Sequence, residues 1–130
     1  MAINTYGYTS NGASWKQQAT SSVTKQGKQT HSEVNVYNAL GAAGKAAPYL
    51  ILQNAFPCSE CDGKFTTASA RGAIVFKITA DEGKYAADHG LGQAYGTFPT
   101  YIWYLNGAKT ISTALAGKPA TFPVCPSADI

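Results

Sequence analysis

The chain has 130 residues, with ten basic and seven acidic side chains giving a net charge of +3. That length supports one core and not two, so a single domain over residues 1–130 is expected. At 45% hydrophobic and 12% aromatic, the composition excludes a disordered chain. No apolar run approaches the roughly 20 residues that span a bilayer, so no membrane association is expected. Met1-Ala2-Ile3-Asn4 lacks the basic start and apolar stretch of a secretory signal. The basic residues are scattered, with only Lys16, Lys25 and Lys28 near one another. Such a charge permits contact with a polyanion without requiring it.

In chain order, Thr5 to Ser10 and Ala13 to Gln18 flank Asn11-Gly12, a dipeptide favoured in two-residue hairpin turns. Thr20 to Lys25 extends that hairpin. Thr30 then opens a helix, with Glu33 placed as in a capping box and Val36, Ala39, Leu40 and Ala43 on one face. Tyr49 to Asn54 suits a buried strand that Pro57 stops. A second helix follows, with Ser59 and Asp62 in a weaker capping pattern, Cys61, Phe65 and Ala68 on one face, and Arg71-Gly72 as its stop. Ala73 to Thr79 is the next buried strand. A short helix near Lys84 to His89 precedes the last strand, Thr100 to Leu105, which ends at Asn106-Gly107.

Strands alternating with helices predict an α/β layered domain. The connection of about twenty residues before Thr100 is long for a hairpin and suits a helical crossover, which makes the last two strands parallel.

Three cysteines cannot complete a disulfide framework. Cys125 reads as a buried small hydrophobe, whereas Cys58 and Cys61 form a C-x-x-C that points to metal or redox chemistry. Upstream stands His31-Ser32-Glu33. A structural zinc site is closed by four protein ligands, and this chain offers His31, Cys58 and Cys61 and then runs short. Three ligands with an open fourth position describe a catalytic zinc. Both ligand groups fall at predicted helix N-termini, which favour anions such as thiolates. Glu33, two residues past His31, is placed to reach a metal-activated water without ligating, and so to act as proton shuttle. That pairing is what hydrolytic removal of an aromatic amino group needs.

At H-x-E and P-C-x-x-C the chain resembles the zinc-dependent cytidine deaminase-like superfamily, with all five signature positions matched and a similar element order over residues 3–106. The resemblance implies a three-layer fold with about five strands in a mixed sheet and helices on both faces. It implies His31, Cys58 and Cys61 as ligands of Zn2+ and Glu33 as the catalytic acid/base. Small size and a parallel last strand are similar to the branch that holds AID/APOBEC editors and bacterial toxin deaminases. Free cytidine deaminases differ in carrying Cys where His31 stands and an antiparallel last strand. Ser59-Glu60, where tRNA adenosine deaminases commonly carry Met, counts mildly against adenine.

By that resemblance the expected reaction is cytosine to uracil in single- or double-stranded DNA. The expected setting is the toxin domain of a larger secreted polypeptide, delivered to a target-cell cytoplasm and restrained by an immunity protein. The domain is expected to be a monomer. Candidate substrate contacts are Phe56, which either stacks a base or packs in the core, and Tyr85, which stacks on a flanking base. Asp81 reads base edges or caps the short helix, and Trp15 forms a groove wall with Lys16, Lys25 and Lys28. Competing readings are a deaminase of RNA or of free cytidine or adenosine, and a non-catalytic zinc-stabilised binding module.

Overall fold

The structure is a computed structural model that describes residues 2–24, 31–41, 48–91, 97–113, 117–124, 126 and 130. The predicted Lys25 and Lys28 wall and Cys125 lie outside the described residues. Six strands form one mixed sheet: β1 (Ile3–Ser10), β2 (Trp15–Val23), β3 (Tyr49–Gln53), β4 (Ile74–Ile78), β5 (Thr100–Leu105) and β6 (Ala108–Ser112), in spatial order β2-β1-β3-β4-β5-β6. Two α-helices, α1 (Ser32–Ala39) and α2 (Ser59–Ala68), and a 3-10 turn over Ala86–His89 complete the described elements. None of the described helices is long and apolar enough to cross a membrane.

The β1–β2 hairpin forms where Asn11-Gly12 places it, with a wider loop than the dipeptide suggests. Asn11 Oδ1 accepts hydrogen bonds from the backbone N–H of Ala13 and of Ser14, both at 2.8 Å, so a side chain builds the turn. Asn106-Gly107 is a tight turn of two residues with both φ angles positive, +52° and +80°. It pairs β5 with β6 from Leu105↔Ala108 onward. The sequence reading ended the sheet there and so found five strands where six exist.

Strand direction corrects a second expectation. β3 and β4 run parallel, but β4 and β5 run antiparallel, with Ile74↔Tyr104 and Ile78↔Thr100 in register. The last two strands of the predicted order are therefore not parallel. Ile78 at the end of β4 stands opposite Thr100 at the start of β5, so the two strands meet at one end of the sheet and need no crossover between them.

A third correction concerns the layers. A Cβ on Gly7 would stand 2.4 Å from Val36 Cγ1 of α1, so α1 lies directly on β1. Gly7 is opposite Ile51, and Ile51 packs with Cys61, Phe65 and Ala68 of α2. Both described α-helices thus share one face. The other face, carrying Leu50, Val75, Tyr101 and Trp103, is covered by Phe122 and Ile130 and not by a described helix. Lys77 Nζ and Tyr101 Oη both bond the Ile130 carbonyl and hold that cover in place. Because side chains alternate along a strand, β3 to β5 are buried on both faces and read as continuous apolar runs.

Candidate metal centre

The two helices begin side by side, and each begins at a ligating residue. His31 is the N-cap of α1, with extended backbone at φ −114° and ψ 115°. Cys58 is the N-cap of α2, at φ −65° and ψ 166°. Neither side chain caps its helix; Thr30, expected to open α1, lies outside the described residues, and α2 begins from Cys58 and not from a Ser59 cap. The chain instead turns these side chains toward each other. Pro57, buried just after β3, fixes the approach to Cys58.

One donor atom from each of His31, Glu33, Cys58 and Cys61 lies within 4.8 Å of the others. His31 Nδ1 is 3.6 Å from Cys58 Sγ and 3.8 Å from Glu33 Oε1. Nδ1 therefore faces the cluster, while Nε2 points outward, 3.6 Å from Glu60 Oε2. Glu33 is 1% exposed, and its Oε2 is buried with no hydrogen-bond partner. A carboxylate placed so is costly unless something positive or protic meets it.

Cys61 is fully buried, and burial pushes its thiol well above the ordinary range, with Glu33 and then Cys58 adding to the rise. Burial first, and then the crowding of two thiols with a carboxylate, give that result. A dication would offset it, and one imidazole with two sulfurs is a donor set that suits zinc. The four residues fit a metal ion. His31, Cys58 and Cys61 would hold it, with Glu33 beside it.

The substrate contacts predicted from sequence separate. Tyr85 is at the site: its ring packs in the cluster that contains Phe56 and Cys58. Burial, then the neighbouring Cys58 and Glu33, raise its hydroxyl pKa. Asp81 holds Tyr85 from behind, its Oδ1 accepting from the Tyr85 N–H at 2.8 Å and its Oδ2 from the Ala86 N–H at 3.2 Å. Its carboxylate therefore caps the turn, the second of the two roles expected of it.

Phe56 takes the second of its expected roles, packing in the core. It is fully buried, with ring centroids 5.4 Å from His89 and 6.3 Å from Phe98. Trp15 does not wall the site. It packs against the apolar cluster on the face away from the helices, at the end of β2 paired with Ser10, far from α1's N-terminus.

The sequence reading of His89, a surface histidine able to reach phosphate or base, is corrected by its burial. The His89 side chain is fully buried and its Nε2 lies 2.9 Å from the Pro57 carbonyl. Sequence reading missed the hydroxyl of Ser32, between the two functional residues of H-x-E, which meets Thr5 at 2.7 Å. Buried Thr5 and Gln53, polar residues inside two strands, were the available signal. A cleft of about 230 Å³ lined by Ser69, Arg71, Leu105 and Asn106 lies at the opposite end of the sheet and holds no ligating cluster. No protein-family model, curated protein or solved structure matches this chain.

Proposed function

We propose that this chain is a zinc-dependent hydrolytic deaminase of a nucleobase, with cytosine in DNA as its substrate. The observation that carries the reading is the convergence of His31, Cys58 and Cys61 from two helix N-termini beside the buried Glu33 carboxylate, whose Oε2 has no hydrogen-bond partner. When bound, the metal supplies Lewis acidity, which makes water a nucleophile near neutral pH.

Replacing an exocyclic amino group by oxygen needs two proton movements. One proton leaves the attacking water for the ring nitrogen, and a second reaches the amine as the C–N bond breaks and ammonia departs. Glu33 is suited to both, because its free Oε2 sits in the cluster and its backbone is fixed in α1. Tyr85, held by Asp81, forms one side of the approach.

Cytosine in DNA, delivery as a toxin and an immunity partner rest on the resemblance in the two short motifs. The antiparallel β5 withdraws the strand-order support for that branch. His31 in place of cysteine, and Ser59-Glu60 within C-x-x-C, remain its support. Incubating zinc-loaded protein with deoxycytidine, single-stranded DNA, duplex DNA and RNA tests the reading. Uracil formed in DNA is expected. Uracil from the free nucleoside alone would remove the DNA substrate, and no deamination of any of the four would remove the enzyme.

One observation favours a second reading. The Glu33 carboxylate is near enough to the other three donors to be a fourth ligand, which would close the site and make the zinc structural. Zinc content of Glu33→Ala separates the two: a proton shuttle leaves the metal in place, whereas a ligand does not.

A further inference from the structure

We propose that Thr5 and Gln53 are positioning residues for the metal centre, joined with Ser32 in a buried chain of hydrogen bonds that sets the two ligand-bearing segments against one another. The inference rests on the metal reading given above.

Thr5 and Ser32 are fully buried and Gln53 is 1% exposed. Thr5 Oγ1 meets Ser32 Oγ at 2.7 Å and also bonds Gln53 Oε1. Gln53 Nε2 donates to the Ala55 carbonyl at 2.9 Å. The proton directions follow from the groups themselves. An amide oxygen only accepts, so the single hydroxyl proton of Thr5 goes to Gln53. Ser32 must then donate to Thr5. The result is one directed sequence, Ser32 to Thr5 to Gln53, with the Gln53 amide passing on to Ala55.

Its two ends are informative. Ser32 stands between His31 and Glu33, in the first turn of α1. Ala55 lies three residues before Cys58, in the segment that leads from β3 into α2. The chain crosses β1 and β3 through the register pair Thr5↔Gln53. It therefore ties the imidazole and carboxylate of one helix to the thiols of the other.

Apolar packing already holds α1 to the sheet, through Val36 and Leu40 over Gly7. Three buried polar side chains in addition carry a desolvation cost that is offset only while every link is made. What they add is direction. Val36 can slide on Gly7, but a hydrogen bond fixes the angle of Ser32 and so of the residues that flank it. Ligand geometry at a metal depends on such orienting contacts.

The test compares the full chain with Thr5→Val, Thr5→Ser and Ser32→Ala by chelator competition for zinc and by the visible absorption of the Co2+ form. Valine matches threonine in shape and removes the hydroxyl. Zinc affinity is expected to fall roughly 10–100-fold in Thr5→Val, with displaced Co2+ bands, and Thr5→Ser is expected to restore both. Ser32→Ala keeps the Thr5 to Gln53 link, and it decides the matter should Thr5→Val not fold. It is expected to weaken zinc binding and displace the Co2+ bands, while the urea midpoint of the metal-free protein falls by no more than one lost hydrogen bond accounts for.

A Thr5→Val or Ser32→Ala protein that binds zinc as tightly as the wild type, with unchanged Co2+ bands, would overturn the proposal. So would a Thr5→Ser protein that does not recover. Wild type that takes up no zinc, or takes it up equally after Cys58→Ser and Cys61→Ser, would remove the metal reading and this inference with it.

Discussion

His89 and Pro57, 32 positions apart, are joined by a hydrogen bond of 2.9 Å from the imidazole Nε2 to the carbonyl oxygen. A carbonyl only accepts, so Nε2 carries the proton. The bond fastens the 79–99 connection to the residue immediately before Cys58. Next to it, Asp62 of α2 accepts from Tyr104 Oη at 2.6 Å and pairs with Lys109, so β5 and β6 are tied to the same helix end.

His89→Phe keeps an aromatic ring against Phe56 but leaves the Pro57 carbonyl without its donor. A loss of about 1–3 kcal/mol is expected from an unpaired buried group. His89→Gln, whose amide reaches a similar distance, is expected to recover part of it. Urea unfolding of the three proteins checks this; equal midpoints would show that the bond contributes nothing.

Glu33→Gln keeps the shape of the side chain and removes the proton shuttle. Deamination is expected to fall by roughly 10²–10⁴-fold or more, while zinc content stays near one ion per chain. Metal analysis beside a uracil assay measures both. Loss of the metal together with the activity would favour the closed, four-ligand site.

Removal of metal from the loaded protein is expected to lower the melting temperature, because an ion held by residues of both helices would join α1 to α2 and favour the folded chain. Zinc added back restores it in wild type. Cys61→Ser should melt at the same temperature with and without chelator.

Gly7→Ala places a methyl 2.4 Å from Val36 Cγ1. An overpacking cost of about 1–3 kcal/mol is expected, read as a lower urea midpoint. A second substitution, Val36→Ala, opens space and should return part of that loss. If both single variants matched wild type, α1 would not lie on β1 as described.

Tyr104 gives an alkaline prediction. Burial, then the Asp62 charge and hydrogen bond, hold its hydroxyl well above the usual phenol range. A group whose folded pKa is raised contributes stability that is complete below its unfolded pKa and is lost as pH rises past it. Folding stability is therefore expected to decline above about pH 10, by up to about 1.4 kcal/mol per pH unit from this group. Tyr104→Phe should flatten that decline. An identical slope in both proteins would place its origin in the other tyrosines.

The positions of β1, α1, β3, α2, β4 and β5 were legible because each carries its own signal: turn dipeptides, period-four apolar residues, or short apolar runs. The convergence of His31, Glu33, Cys58 and Cys61 was legible because these residues stand in two short motifs. Strand direction was not. An apolar run such as Thr100 to Leu105 has no arrow, and a twenty-residue connection fits a crossover as well as a return. Asn106-Gly107 was read as an end, although the same dipeptide at Asn11-Gly12 was read as a turn; exposed Ala108, Lys109 and Thr110 do not look like a strand because they form an edge. The fate of Phe56 depended on residues 89 and 98, far along the chain, and no local pattern reveals such a neighbour.

Because β4 and β5 run in opposite directions, the segment between them departs from and returns to one rim of the sheet, beside the four clustered donors. Its length can change without rethreading any strand. An insertion there would enlarge the wall beside those donors and spare the strands and helices that position them, so the rim and the framework are free to vary separately in this architecture.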